Sequence, residues 1–79
     1  MDFPQYRKRF DNKSFYKVIN EETLEEVQIL GDKRFVFPLK ATKYFEKLLI
    51  QDILSLKDDL YKPSTAVEYE YVKSNGEQF

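Results

Sequence analysis

RFVFPLKATKYFEKLLIQDILSL, residues 34–56, decides the fold, because the hydrophobic period changes inside it. From Arg34 to Thr42 the residues alternate. Phe35, Phe37, Leu39 and Ala41 fall on one side, and Arg34, Val36, Pro38, Lys40 and Thr42 on the other. A period of two is that of a β-strand with two distinct faces. Pro38 has no N–H for a ladder, which places this strand at a sheet edge or at a bulge. Residues 44–56 contain neither Gly nor Pro, and Phe45, Leu48, Leu49, Ile53 and Leu56 recur at three- to four-residue spacing. That period makes an amphipathic helix, the natural lid for the sheet. At about 100° per residue, Asp52 falls inside that apolar face while Ile50 and Leu54 point away from its centre.

Upstream, residues 14–19 are rich in aromatic and β-branched types, and Asn20-Glu21-Glu22 breaks them from residues 23–30. These read as two strands. Gly31-Asp32 then signals a hairpin, since Gly accepts the positive φ of the first central position in a type II′ turn. Residues 5–10 add a fourth short strand. Downstream, Val67, Tyr69 and Tyr71 alternate with Glu68 and Glu70, as in a strand, yet Thr65-Ala66-Val67-Glu68 has the spacing of a helix capping box. The helix is preferred, with the strand as the alternative. The fold class is therefore α+β: an antiparallel meander of three to four strands packed on one amphipathic helix, followed by a short C-terminal helix. Residues 1–79 read as one domain, with 1–4 and 76–79 loose at its ends.

Composition removes many functional classes. The 79 residues include no Cys, His or Trp, so disulfides, thiolate zinc sites, imidazole ligands and Ser-His chemistry are excluded. No phosphate-binding glycine loop or nucleophile elbow occurs, and no cofactor is implied. Neither Glu21, Glu22, Glu25 and Glu26 nor Asp58-Asp59 has the spacing of a calcium loop. Acidic Asp2 and Asp11 interrupt the first residues and no apolar run is long enough for a membrane span, which predicts a cytoplasmic protein with no membrane partner. Thirteen Lys and Arg against fourteen Asp and Glu leave a net charge of −1. That sum hides successive blocks of +3, −4, +3 and −3, a pattern suited to complementary neighbours in the fold or between subunits.

Tyr6-Arg7-Lys8, Phe15-Tyr16-Lys17-Val18-Ile19, Glu26-Val27-Gln28-Ile29-Leu30-Gly31 and Ile50-Gln51-Asp52-Ile53-Leu54 resemble a group of short uncharacterised bacterial proteins of the kind found in Bacteroidetes. The resemblance spans most of the chain. It implies a cytosolic bacterial setting and brings no activity, substrate or catalytic residue with it.

Three sets of residues stand out as candidates. Ile50, Leu54 and Tyr44 widen the apolar stripe of the long helix beyond what one sheet covers, which points to a partner or homodimer interface. Tyr6, Arg7, Lys8, Arg9, Tyr16 and Lys17 interleave rings with cations, as a single-stranded nucleic-acid face would, although a pI near 5.4 lacks the basic footprint of such binders. Asp52 must lie at an exposed rim or find a donor, with Arg7 and Tyr16 the expected partners. The reading favoured by these features is a non-enzymatic interaction module, possible as a homodimer. A small single-stranded nucleic-acid binder is the alternative.

Overall fold

The computed structural model describes residues 1–74. Among these residues are five strands: β1 (Gln5–Arg9), β2 (Ser14–Asn20), β3 (Thr23–Leu30), β4 (Lys33–Lys40) and β5 (Tyr61–Pro63). Helix α1 (Tyr44–Leu54) lies between β4 and β5, and α2 (Ala66–Ser74) follows β5. The sheet is antiparallel throughout, in the order β4-β3-β2-β1-β5. Its first four strands are the expected meander. The fifth was not expected: after α1 the chain returns beside β1, where Arg7, Lys8 and Arg9 oppose Pro63, Lys62 and Tyr61. Three residues are too few to show a period, so this strand exists because β1 offers it an edge.

Strand alternation sends neighbouring side chains to opposite faces, and each face receives one helix. Tyr16 and Val18 of β2, with Leu24 of β3, form a buried cluster with Ala41 and with Ile50, Ile53 and Leu54 of α1. Phe15 of β2 and Val27 of β3, which oppose one another, form a second cluster with Tyr69 and Val72 of α2. The result is a three-layer arrangement. β2 therefore carries apolar side chains on both faces, as a strand covered on both sides must. Phe3, within the segment expected to be loose, packs against the first cluster. Residues 76–79 lie outside the described residues.

Local chemistry explains the joints. Gly31 takes φ +65° in the β3–β4 turn, the sign that a type II′ turn needs at this residue. Pro38 sits on β4, an edge strand, as its missing N–H requires. The backbone N–H of Ala41 donates to the carbonyl of Glu22, which pins the chain just before α1 begins. Glu46 Oε1 accepts from the N–H groups of Thr42 and Lys43 at 3.1 and 3.0 Å, so orphan donors at the helix start are satisfied. At the other end Leu56, Asp58 and Asp59 adopt φ of 59°, 55° and 58°. Left-handed residues of this kind turn the chain out of the helix at a local cost of about 1 kcal/mol each. That turn delivers Tyr61 to β1.

The C-terminal segment is a helix rather than a strand. Thr65 Oγ1 accepts from the N–H of Glu68 at 3.1 Å, the first half of a capping box. The second half is replaced: the Glu68 carboxylate accepts from Ser64 Oγ at 2.5 Å and pairs with Lys8 at 3.2 Å, tying the helix start to β1.

Candidate interaction surface

The apolar positions of α1 wrap around it through an arc of about 240° at 100° per residue, from Leu48 through Phe45, Leu49, Ile53 and Ile50 to Leu54. One sheet face can cover only part of that arc. The sheet takes Ile50, Ile53 and Leu54, all buried. Tyr44, Phe45, Leu48 and Leu49 are left 78%, 66%, 45% and 41% exposed. The expected phase of the helix is thus corrected by roughly a third of a turn, and the expected interface with it. Ile50 and Leu54 are core residues, and of that candidate set only Tyr44 faces solvent.

The reason lies in the connection. Ala41 is buried and held by Glu22, and only Thr42 and Lys43 separate it from the helix. So short a link leaves little freedom in how α1 is rotated when it meets Val18, Leu24 and Leu39. The spacing of Phe45, Leu48 and Leu49 is a real apolar stripe. It points outward.

Asp52 lies on that outward stripe. Its carboxylate is partly exposed and pairs with Lys57 at 3.9 Å, across the turn that ends the helix. The expected partners, Arg7 and Tyr16, are engaged elsewhere. Arg7 donates to the carbonyls of Leu54 and Tyr6 and to Gln5 Oε1. Tyr16 is buried edge-to-face against Tyr61, with ring centroids 5.7 Å apart. Burial, reinforced by the nearby Glu26 carboxylate, pushes the Tyr16 hydroxyl up to about 12. Tyr61 is raised as well, by burial first and also by the charges of Asp52 and Glu26.

The N-terminal candidates do not form one face. Arg7 opposes Tyr16 and Tyr6 opposes Lys17 in the β1–β2 ladder, so strand alternation sends Arg7, Arg9 and Tyr16 toward the α1 layer and Tyr6, Lys8 and Lys17 toward the α2 layer. Both rings are occupied. Tyr6 packs on Tyr69 at 5.7 Å and Tyr16 is buried, so neither is available for base stacking. Lys8 is spent on Glu68. The expected nucleic-acid platform is corrected on these grounds: its six residues are divided between the two faces of the sheet, and the rings of Tyr6 and Tyr16 are packed inside the fold.

Other polar groups serve the packing of α2. Tyr69 donates to Glu25 Oε1 at 2.5 Å, and Lys73 donates to the same oxygen at 2.8 Å. Burial works to raise the Glu25 carboxyl, but the hydrogen bonds from Lys73 and Tyr69 hold it below its ordinary value. The bond to Glu25 raises Lys73 in turn. Tyr69 is raised strongly, first by burial and then by Glu25. An open groove of about 330 Å³ lies beside β3, lined by Arg9, Lys13, Ser14, Glu26 and Gln28 among others; Asp52 is not part of its lining. Among the described residues, no group of three or more carboxylates is placed to hold a metal ion.

Comparison with protein-family models, with curated proteins and with solved structures finds no match to this chain. No helix among the described residues is long and apolar enough to cross a membrane. The outer face of α1 carries four exposed large apolar side chains, Tyr44, Phe45, Leu48 and Leu49.

Proposed function

We propose that the chain is a non-enzymatic interaction module that forms a homodimer through the outer face of α1. The observation that carries this reading is the run of Tyr44, Phe45, Leu48 and Leu49, apolar side chains standing exposed on one helix. Large contiguous apolar patches on small domains mark association surfaces. A helix face of this kind is also a ready docking element.

The occupant we favour is a second copy, because the face is complementary to itself. Two α1 helices laid antiparallel about a two-fold axis at Leu48 bring Tyr44 of one copy opposite Asp52 of the other. The Nζ of Lys43 lies 6.0 Å over the Phe45 ring, at the same end as Tyr44. Each basic, phenolic end thus meets the carboxylate end of its mate. Asp52, whose ion pair among the described residues is the long 3.9 Å contact to Lys57, gains closer donors. Leu48 lies at the centre of the seam with Phe45 and Leu49 beside it, and covering the 45% and 41% of Leu48 and Leu49 left exposed is worth roughly 1 kcal/mol each.

The test is light scattering on the native chain and on Phe45→Glu and Leu48→Glu variants, with circular dichroism to monitor the fold. A dimer that both variants convert to a folded monomer is expected. Variants that leave the assembly unchanged would remove α1 from the interface.

A further inference from the structure

β4 ends the sheet, and among the described residues no other strand pairs with its outer side. Its hydrogen-bonding register follows from the hairpin. Leu30 and Lys33 flank a two-residue turn and form the first hydrogen-bonded pair. In an antiparallel ladder such pairs alternate, so Lys33, Phe35, Phe37 and Leu39 direct their backbone groups inward to β3. Arg34, Val36 and Lys40 direct N–H and C=O outward, and Pro38 directs only a carbonyl. The proline therefore costs the inner ladder nothing, and it confines an unbroken run of outward donors and acceptors to residues 33–37.

The same strand is basic. Lys33, Arg34 and Lys40 carry its charge and it contains no acid. Their cross-strand neighbours are Leu30, Ile29 and Thr23, all uncharged. Among the described residues none of the three cations makes an ion pair within 4.0 Å, and Arg34 Nε is buried without a hydrogen-bond acceptor. Val36 and Phe37 stand exposed on opposite faces of the strand.

We propose that the outer edge of β4, over residues 33–37, receives an extended acidic segment of another protein, which adds to the sheet as a sixth strand. Main-chain hydrogen bonds to Arg34 and Val36 supply the binding, in the manner of strand addition. Carboxylates on the incoming strand match Lys33 and Arg34, and apolar side chains match Val36 and Phe37. A second copy of this chain does not fit. Two β4 edges laid antiparallel gather six cations and no carboxylate into one ladder, and like charges brought together there destabilise it. This edge and the outer face of α1 are separate surfaces.

The experiment titrates an isotope-labelled chain, native and Leu48→Glu, with a short synthetic peptide whose two adjacent valines and two adjacent glutamates, one residue apart, can oppose Phe37, Val36, Arg34 and Lys33, and with its lysine-for-glutamate counterpart. Backbone shifts and slowed amide exchange at Arg34 and Val36 are expected with the glutamate peptide, in both chains. Val36→Pro, which removes an outward N–H, weakens binding by about tenfold. Reversing Lys33 and Arg34 to Glu weakens it similarly and transfers the preference to the lysine peptide. The proposal is overturned if the two peptides bind the native chain equally, or if neither protects the Val36 amide at millimolar concentration. Side-chain shifts at the cations with unchanged amide exchange also overturn it, because they show charge attraction without strand addition.

Discussion

Ile53 and Tyr44 are both apolar-rich positions of one helix, yet they have opposite tasks. Ile53 is fully buried against the sheet, whereas Tyr44 is largely exposed. Ile53→Ala is expected to cost about 2–5 kcal/mol of folding stability. Tyr44→Ala, measured by urea denaturation at a concentration low enough to keep the chain monomeric, is expected to stay within about 0.5 kcal/mol. The carboxylates of Glu25 and Glu68 supply a pH dependence. Both titrate below their usual value of 4.5, Glu25 against its own burial through Lys73 and Tyr69, and Glu68 through Ser64 and Lys8. A carboxyl lowered in the folded state contributes stability above its unfolded pKa and loses it as the pH falls through the folded one. Denaturant titrations should therefore show stability dropping as the pH passes below about 4.5, less steeply in Glu25→Gln. At the alkaline end the sign is reversed. Tyr16, Tyr61, Tyr69 and Lys73 are all raised, so stability declines once the pH exceeds about 10.

The elements differ in how plainly the chain announces them. The alternation in residues 34–42 and the missing N–H of Pro38 place an edge strand, and β4 is one. The helical period of residues 44–56 places α1. Its rotation was hidden, because the helix is apolar over so wide an arc that spacing alone cannot tell the side the sheet takes. That choice is made by tertiary contacts, by Ala41 and Glu22 just upstream. β5 has no signal of its own length. In α2 the alternation of Val67, Tyr69 and Tyr71 competes with the cap at Thr65, and the cap prevails because Tyr69 and Val72, three apart on a helix, reach one cluster. Thr65→Ala is accordingly expected to cost about 1 kcal/mol, read as a lowered urea midpoint with unchanged slope. Of the candidate residues, Asp52 lies 3.9 Å from Lys57 rather than beside Arg7 or Tyr16, and that partner depends on the left-handed turn after α1. The rings of Tyr6 and Tyr16 pack on Tyr69 and Tyr61 instead of standing on an open face, because a short apolar strand does not disclose that both its sides are covered.

Among the described residues, two helices on opposite faces bury both sides of the central strands while leaving the outer face of α1 and the long edge of β4 uncovered. The charge blocks find part of their complement inside the fold: Lys8 meets Glu68 and Lys73 meets Glu25. Among the described residues the cations of β4 do not, and the outward stripe of α1 stays exposed. A chain of 79 residues buries a modest core, and the proposed association through α1 would add to it. Sedimentation equilibrium of the native chain and of Leu48→Glu, from roughly micromolar to millimolar concentration, tests this most directly. The account predicts a reversible monomer–dimer equilibrium for the native chain and a folded monomer throughout for Leu48→Glu. A native chain that stays monomeric over the whole range, or a Leu48→Glu chain that dimerises as well as the native one, would contradict it.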